Sequence, residues 1–259
     1  MTATPENPLS HFSYRDDATI QNVVDWLANH DFEIKILDCG CGDARLAKAM
    51  LETDSLDLNR IRYFGFDSDQ ANVRRVKSEK ERGVFSDYKE FDVMLRDITD
   101  TLGYKSGVFD LILVNNILHE VLAEEIPQVL LKLNKLLANP VGRLAVIDME
   151  ELPPEVCEPW AVTLTADELG IIERAGGFRP TISRSHKRVW TYRVVTGPIS
   201  RVNTAGITLA LRKILDKKRE QQLAIAAKYR ACGDVSADSQ REAFRMAAVD
   251  LAIHRLNGR

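Results

Sequence analysis

The 259-residue sequence has no run of about eighteen apolar residues, the length a helix needs to cross a bilayer. It also lacks the basic start and greasy stretch of a secretory leader, since it opens MTATPENPLSHFSYRDD. Four cysteines are too few for a disulfide framework in a chain this long, so a reduced, cytoplasmic setting is expected. Internal repeats and low-complexity segments are absent, and the chain does not read as a repeat array. An excess of one charge is missing too, with a net of −3, but the charges are unevenly placed. From residue 200 onward twelve Lys and Arg face six Asp and Glu, whereas the rest carries 23 against 32. A basic tail on an acidic body places a boundary near residue 200.

What is present is enough apolar residue, 45%, to bury one large domain or a domain with an appendage. Apolar runs alternate with helical patterns: EIKILD, ARLAKAMLE, IRYFGFD, QANVRRVKSEKERG, FDVMLRD, FDLILVN, EVLAEEIPQVLLKLNKLLANP and GRLAVIDME. Strands separated by helices imply parallel pairing through right-handed crossovers, hence a doubly wound α/β sheet. Near-continuous apolar strands fit burial on both faces. In TADELGIIERAGGF, Thr165 and Glu168 form a capping box and Gly176-Gly177 stops the helix. FRPTISRS and KRVWTYRVV follow, joined around Ser185-His186, as an antiparallel hairpin at the sheet edge. A domain over 1–199 is expected, then a basic helical extension over 200–259. Its first helix, about 203–231, sets Ile207, Leu211, Ile214 and Leu215 on one face; its second begins near Gln240 with Phe244, Ala248 and Leu251 in register.

The sharpest signal is IKILDCGCGDARLAKAM, a buried strand running into a Gly-rich turn and a helix. A dinucleotide turn needs G-x-G-x-x-G, but the position completing it after Gly40 and Gly42 is Arg45. Asp38 also stands at the strand end, where a carboxylate would oppose a pyrophosphate and suit a cationic ligand. This acid followed by G-x-G resembles motif I of the class I S-adenosylmethionine-dependent methyltransferases. Further elements follow in the family's order, YFGFDSD, VMLRDI, FDLILVNNILHEV and then TADELGIIERAGGF, similar to the family's penultimate helix before its final hairpin, so the likeness spans roughly residues 30 to 198. The resemblance implies a Rossmann-like methyltransferase fold with S-adenosylmethionine as cofactor and S-adenosylhomocysteine as product. It assigns Asp38, Gly40 and Gly42 to the turn that holds the cofactor, Asp67 to the ribose hydroxyls, and Asp97 and Ile98 to the adenine. Asn115 would face the transfer site, and Arg15, beside Tyr14, would pair with the methionine carboxylate. One departure from motif I is Ala44, where a third glycine is common.

Methyl transfer is an in-line displacement, so holding the reactants close supplies much of the rate and a base depends on the acceptor. His119 is the candidate base, with Glu120 to orient it or act alone. The family's Asn-Pro-Pro-Tyr signature is absent after the fourth strand, where NNILHE stands, and no Pro-Cys pair follows it. Trp160 and Trp190 are candidates for stacking on a planar substrate, with a place in the core as the plainer reading. Cys39 and Cys41 form a C-x-C without a second close pair, which reads as packing beneath the turn, with no metal expected. The tail, with RKILDKKRE, admits a nucleic-acid surface, a homodimer or partner hairpin, or a lid; its few aromatics, Tyr229 and Phe244, disfavour RNA. The expected activity is methyl transfer to an unidentified acceptor, a small molecule ahead of RNA, and no membrane partner is expected. The contrasting reading is a methyltransferase-like binding module without turnover.

Overall fold

The computed structural model describes residues 18–140, 142–152, 160–186, 190–232 and 236–258. The chain divides into two compact units, Met1–Leu95 and Arg96–Arg259.

The first unit runs α1 (Ala18–Ala28), β1 (Ile34–Cys39), α2 (Arg45–Leu51), β2 (Ile61–Asp67), α3 (Gln70–Glu81) and β3 (Glu90–Leu95). Its strands are parallel in the order β3-β2-β1, with Ile36 opposite Tyr63 and Asp38 opposite Gly65. Ile34, Ile36, Leu37, Ile61 and Tyr63 are wholly buried, as strands covered on both faces require. Phe85, Phe91 and Tyr63 stack in sequence, with ring centroids 3.9 and 5.0 Å apart. Asp69 caps α3 through the Ala71 amide. The third strand stops at Leu95, so Asp97 lies two residues past the strand it was expected to end.

The second unit holds β4 (Leu111–Asn115), α4 (Ile126–Leu136), β5 (Arg143–Met149), α5 (Ala166–Gly176), β6 (Arg179–His186), β7 (Trp190–Thr196), α6 (Thr204–Ala231) and α7 (Ala237–Leu256). Its strand order is β4-β5-β7-β6, parallel between β4 and β5 and antiparallel across β5, β7 and β6. Mostly parallel strands closed by an antiparallel C-terminal hairpin and followed by two helices are the expected class. The helix expected from Glu120 is instead a 3-10 turn at Leu118–Glu120, and α4 begins at Ile126. Pro127 explains the late start: without an N–H it belongs in a first turn and would break a helix running through it. At the other end Leu137 turns extended and bridges to Phe109. The hairpin strand β6 runs through His186, so the link expected around Ser185-His186 lies beyond it. The α5 capping box forms as expected, and Gly177, at φ 90°, supplies the left-handed C-cap.

The Arg193 side chain ties this unit together. It is buried on β7, donates to both Glu173 oxygens on α5 at 2.5 to 3.0 Å, and reaches the Ala166 carbonyl and the Ser183 hydroxyl. Gly170 makes room for it, since a Cβ there would stand 2.9 Å from the guanidinium. Burial pushes the Glu173 carboxyl up, against the lowering effect of Arg193. Ile207, Leu211, Ile214 and Leu215 of α6 are buried as the spacing predicts, and α6 packs on α4, α5 and α7. The second helix starts three residues earlier than expected, capped by Ser236, and Phe244 is 38% exposed instead of joining the buried face with Ala248. Among the described residues no helix is long and apolar enough to cross a membrane.

Candidate functional site

In the first unit the turn after β1 is built by backbone bonds and one carboxylate. The Gly40 and Cys41 amides donate to the Phe66 carbonyl at 2.9 and 3.0 Å. Gly40 and Gly42 have φ of 72° and 55°, in the left-handed region where a side chain is costly, which accounts for both glycines. Ala44 is also left-handed, at φ 63°, so it occupies with strain a position that glycine would take freely. Asp67, at the end of β2, accepts from the Gly42 amide at 2.8 Å and from the Asp69 amide at 2.8 Å. Each oxygen keeps a second lone pair for an outside donor.

Asp38 lies beneath this turn and is wholly buried. The Tyr63 hydroxyl donates to its Oδ2 at 2.6 Å, whereas Oδ1 is buried with no partner. Burial raises its pKa to about 7, against the lowering effect of Tyr63 and helped by the nearby Asp67 charge. Cys39 and Cys41 are buried as well, and the Cys41 sulfur would sit 3.0 Å from a Cβ at Gly65. Burial pushes the Cys41 thiol well up, which suits packing and not reactivity. Among the described residues no group of three His, Cys, Asp or Glu could hold a metal ion.

In the second unit Asp97 and Ile98 stand in a closed turn. Asp97 Oδ1 accepts from the Thr99 amide and hydroxyl at 2.8 and 2.7 Å, and the Asp97 amide donates to Asp100 Oδ2 at 3.1 Å. Asp97 is exposed, while Ile98 is 5% exposed. Lys132 on α4 donates to the Ile98 carbonyl and, at 2.6 Å, to the Asp100 carbonyl.

Past the end of β4 the chain brings His119 onto Asp148 of β5. The His119 amide donates to Asp148 Oδ2 at 2.9 Å, and Nδ1 stands 2.6 Å from Oδ1. A carboxylate at that distance makes Nδ1 the protonated nitrogen and leaves Nε2 basic. Both residues are buried, and Glu120 lies 3.9 Å from Nε2 with its side chain about half exposed. Asn115 closes β4, and Asn116 after it is left-handed at φ 56°, with a buried Oδ1 that has no partner. Sequence reasoning missed Asp148 and Lys132. Asp148 reads there as one acid inside an apolar run, and only the β4–β5 register, with Asn115 opposite Ile147, sets it beside His119.

The C-terminal helices meet the segments that follow β4 and β5. Ala123 clusters with Leu215, Val249 and Ala252, joined by Val162, Ile253 and Leu256. Arg245 reaches Glu151 at 3.4 Å and Glu242 at 2.9 Å, and Arg255 approaches Glu124 at 3.9 Å. Part of the basic cluster is also engaged, Lys218 with Glu168 at 2.9 Å and Arg219 with Asp250 at 2.6 Å. Trp160 is 47% exposed, not core. Arg15 and Tyr14 lie outside the described residues, as does the side chain of Trp190.

A family model described as a methyltransferase domain matches residues 30–176. No curated protein sequence matches the chain. Among solved structures, the chain is similar to a SAM dependent methyltransferase from Aquifex aeolicus, at 17% identity and a TM-score of 0.52, over 68% of this chain and 88% of that one. It is similar to phosphoethanolamine N-methyltransferase 1 of Haemonchus contortus, in complex with phosphoethanolamine and S-adenosylhomocysteine, at 12% identity and 0.59, over 78% and 48%. A third likeness, to the [4+2]-cyclase SpnF, has 19% identity and 0.50, over 92% and 76%. At these identities the likeness is one of fold.

Proposed function

The chain belongs to the family of methyltransferase domains, and from that premise we propose that it transfers a methyl group to a small-molecule acceptor whose nucleophilic atom sheds a proton to His119. The enzyme is an S-adenosylmethionine-dependent methyltransferase. The residues of the turn fit that cofactor: Asp38 keeps a buried oxygen without a partner, and the turn offers a carboxylate where a phosphate-bearing ligand would be repelled. Gly40 and Gly42 let the backbone approach it, Asp67 takes the ribose hydroxyls, and Asp97 and Ile98 take the adenine. Asn115 faces the transfer site, and Arg15 is assigned to the methionine carboxylate. Bound there, the cofactor supplies a sulfonium-activated methyl group.

The observation that carries the base assignment is the double hold of Asp148 on His119, through its amide and its Nδ1. The hold fixes one tautomer and one ring orientation, and Nε2 is the nitrogen that takes the acceptor's proton as the carbon–sulfur bond breaks. Glu120 sits beside Nε2 and stabilises the imidazolium that forms. Support for a small acceptor comes from α7, which packs against Ala123 and Glu151 beside this site, and from its arginines, which are already engaged by acids. General bases contribute about a hundredfold or more, so His119→Ala should cost about that in turnover with cofactor affinity unchanged. A labelled-methyl assay against fractionated cell extract tests the acceptor class. Label in the small-molecule fraction, lost in His119→Ala, is expected; label in tRNA or rRNA, or turnover within about twofold of wild type in the variant, overturns the reading.

A further inference from the structure

We propose that Lys132 is a positioning residue for adenine recognition, acting through the Asp97–Asp100 turn; the inference rests on the assignment of Asp97 and Ile98 to the adenine. The turn sits on neither a strand nor a helix, since β3 ends at Leu95 and β4 begins at Leu111. A loop that must hold a carboxylate to within about half an ångström needs a support of its own. Part of that support is local: Asp97 Oδ1 is occupied by Thr99, and Asp100 Oδ2 returns to the Asp97 amide. These bonds shape the turn but do not attach it to anything.

Lys132 makes the attachment. It projects from α4, a helix anchored by buried Ile126, Val129, Leu130 and Leu133. Its ammonium binds the carbonyls of Ile98 and Asp100, the residues on either side of Thr99. Gathering those two carbonyls directs the intervening peptide and, with it, the Asp97 carboxylate whose Oδ2 is left to accept from an amino group. Charge adds to the geometry. Burial, Glu124 and Asp97 raise the Glu125 carboxyl, whereas Arg255 and then Lys132 lower it, so the ammonium is one of two cations beside this acidic group. Two charge-assisted bonds to backbone carbonyls are among the stronger ties available to a loop.

The test compares binding of S-adenosylhomocysteine with that of S-inosylhomocysteine, in which a carbonyl oxygen replaces the adenine amino group. Wild type should prefer the adenine compound by about tenfold or more, because a site built to accept from an amino group leaves its carboxylate facing an oxygen otherwise. Lys132→Met should reduce that preference to within about twofold, raise KM for S-adenosylmethionine about tenfold and leave kcat near wild type. Lys132→Arg should restore most of the preference, and Lys132→Gln serves if the methionine variant does not fold. General loosening would weaken both ligands alike and keep their ratio. A preserved ratio in Lys132→Met therefore overturns the proposal. Equal binding of the two compounds by wild type, with Asp97→Ala unaltered in affinity, overturns the Asp97 assignment and the proposal with it.

Discussion

Replacing Asp38 by Asn should change how stability depends on pH before it changes anything else. The carboxyl is wholly buried, accepts a bond from Tyr63 and has one oxygen without a partner, and burial sets its pKa to about 7 against an ordinary 3.8. Folded-state protonation is thus favoured between those two values. Stability from this group is full below the lower value and is lost as pH rises through about 7. At about 1.4 kcal/mol per pH unit the whole window costs roughly 4 kcal/mol, of which about 2.5 kcal/mol falls between pH 5 and pH 8. Asparagine keeps an acceptor for Tyr63 and cannot ionise. Urea unfolding of the ligand-free protein, followed by circular dichroism, should therefore show wild type losing about 2.5 kcal/mol more than Asp38→Asn over that range. Shifts at other groups, Glu173 among them, cancel in the difference. Profiles parallel to within about 0.5 kcal/mol would refute the reasoning. A cationic ligand should reverse the sign of the effect. S-adenosylmethionine affinity should fall toward tenfold per pH unit below 7 in wild type and stay flat in the variant, as titration calorimetry at pH 5.5, 6.5 and 7.5 would show.

Three further outcomes follow from single contacts. Asp148→Asn should lower kcat at least tenfold with little change in cofactor affinity, since an amide cannot enforce the tautomer that the carboxylate holds; steady-state kinetics check it. Ala44→Gly should stabilise the protein by about 1 kcal/mol by removing the left-handed strain at φ 63°, read as a raised urea midpoint at unchanged slope. Arg193→Met should cost roughly 3–5 kcal/mol because it strands Glu173 in the interior, and adding Glu173→Met should recover most of the loss. A loss under about 1 kcal/mol in the single variant would contradict a buried pair of this kind.

The elements easiest to read in the sequence are those with local causes. β2 over IRYFGFD, the Thr165–Glu168 capping box and the buried face of α6 each follow from spacing within a few residues. Helix α4 was legible as a helix but not in its start, because apolar spacing continues upstream of Pro127 and only the missing N–H ends it there. The turn around Gly40 and Gly42 shows itself through residues that local geometry demands. The partner of His119 does not, since Asp148 lies 29 residues away and meets it through strand register. Lys132 was hidden for the same reason: a lysine on an amphipathic helix looks solvated until the loop it grips is in place. Phe244 shows the opposite error, since the helical period put it on the buried face with Ala248 and it stays 38% exposed.

The guanidinium of Arg193 has a reach beyond its own bonds. It joins its own strand β7 to Ala166 and Glu173 of α5 and to Ser183 of β6, which lie 27, 20 and 10 residues away along the chain. Helix α5 in turn sets the seating of α6, for a Cβ at Gly176 would meet Ile207 at 2.9 Å and one at Gly206 would meet the Ala175 carbonyl at 2.5 Å. Hairpin, α5 and α6 should therefore open as one unit of exchange. Amides in the core of α6 should share the protection of β7, although no bond links them. A helix of the C-terminal extension thus packs on α5, which is held by a buried charge on the strand just before that helix.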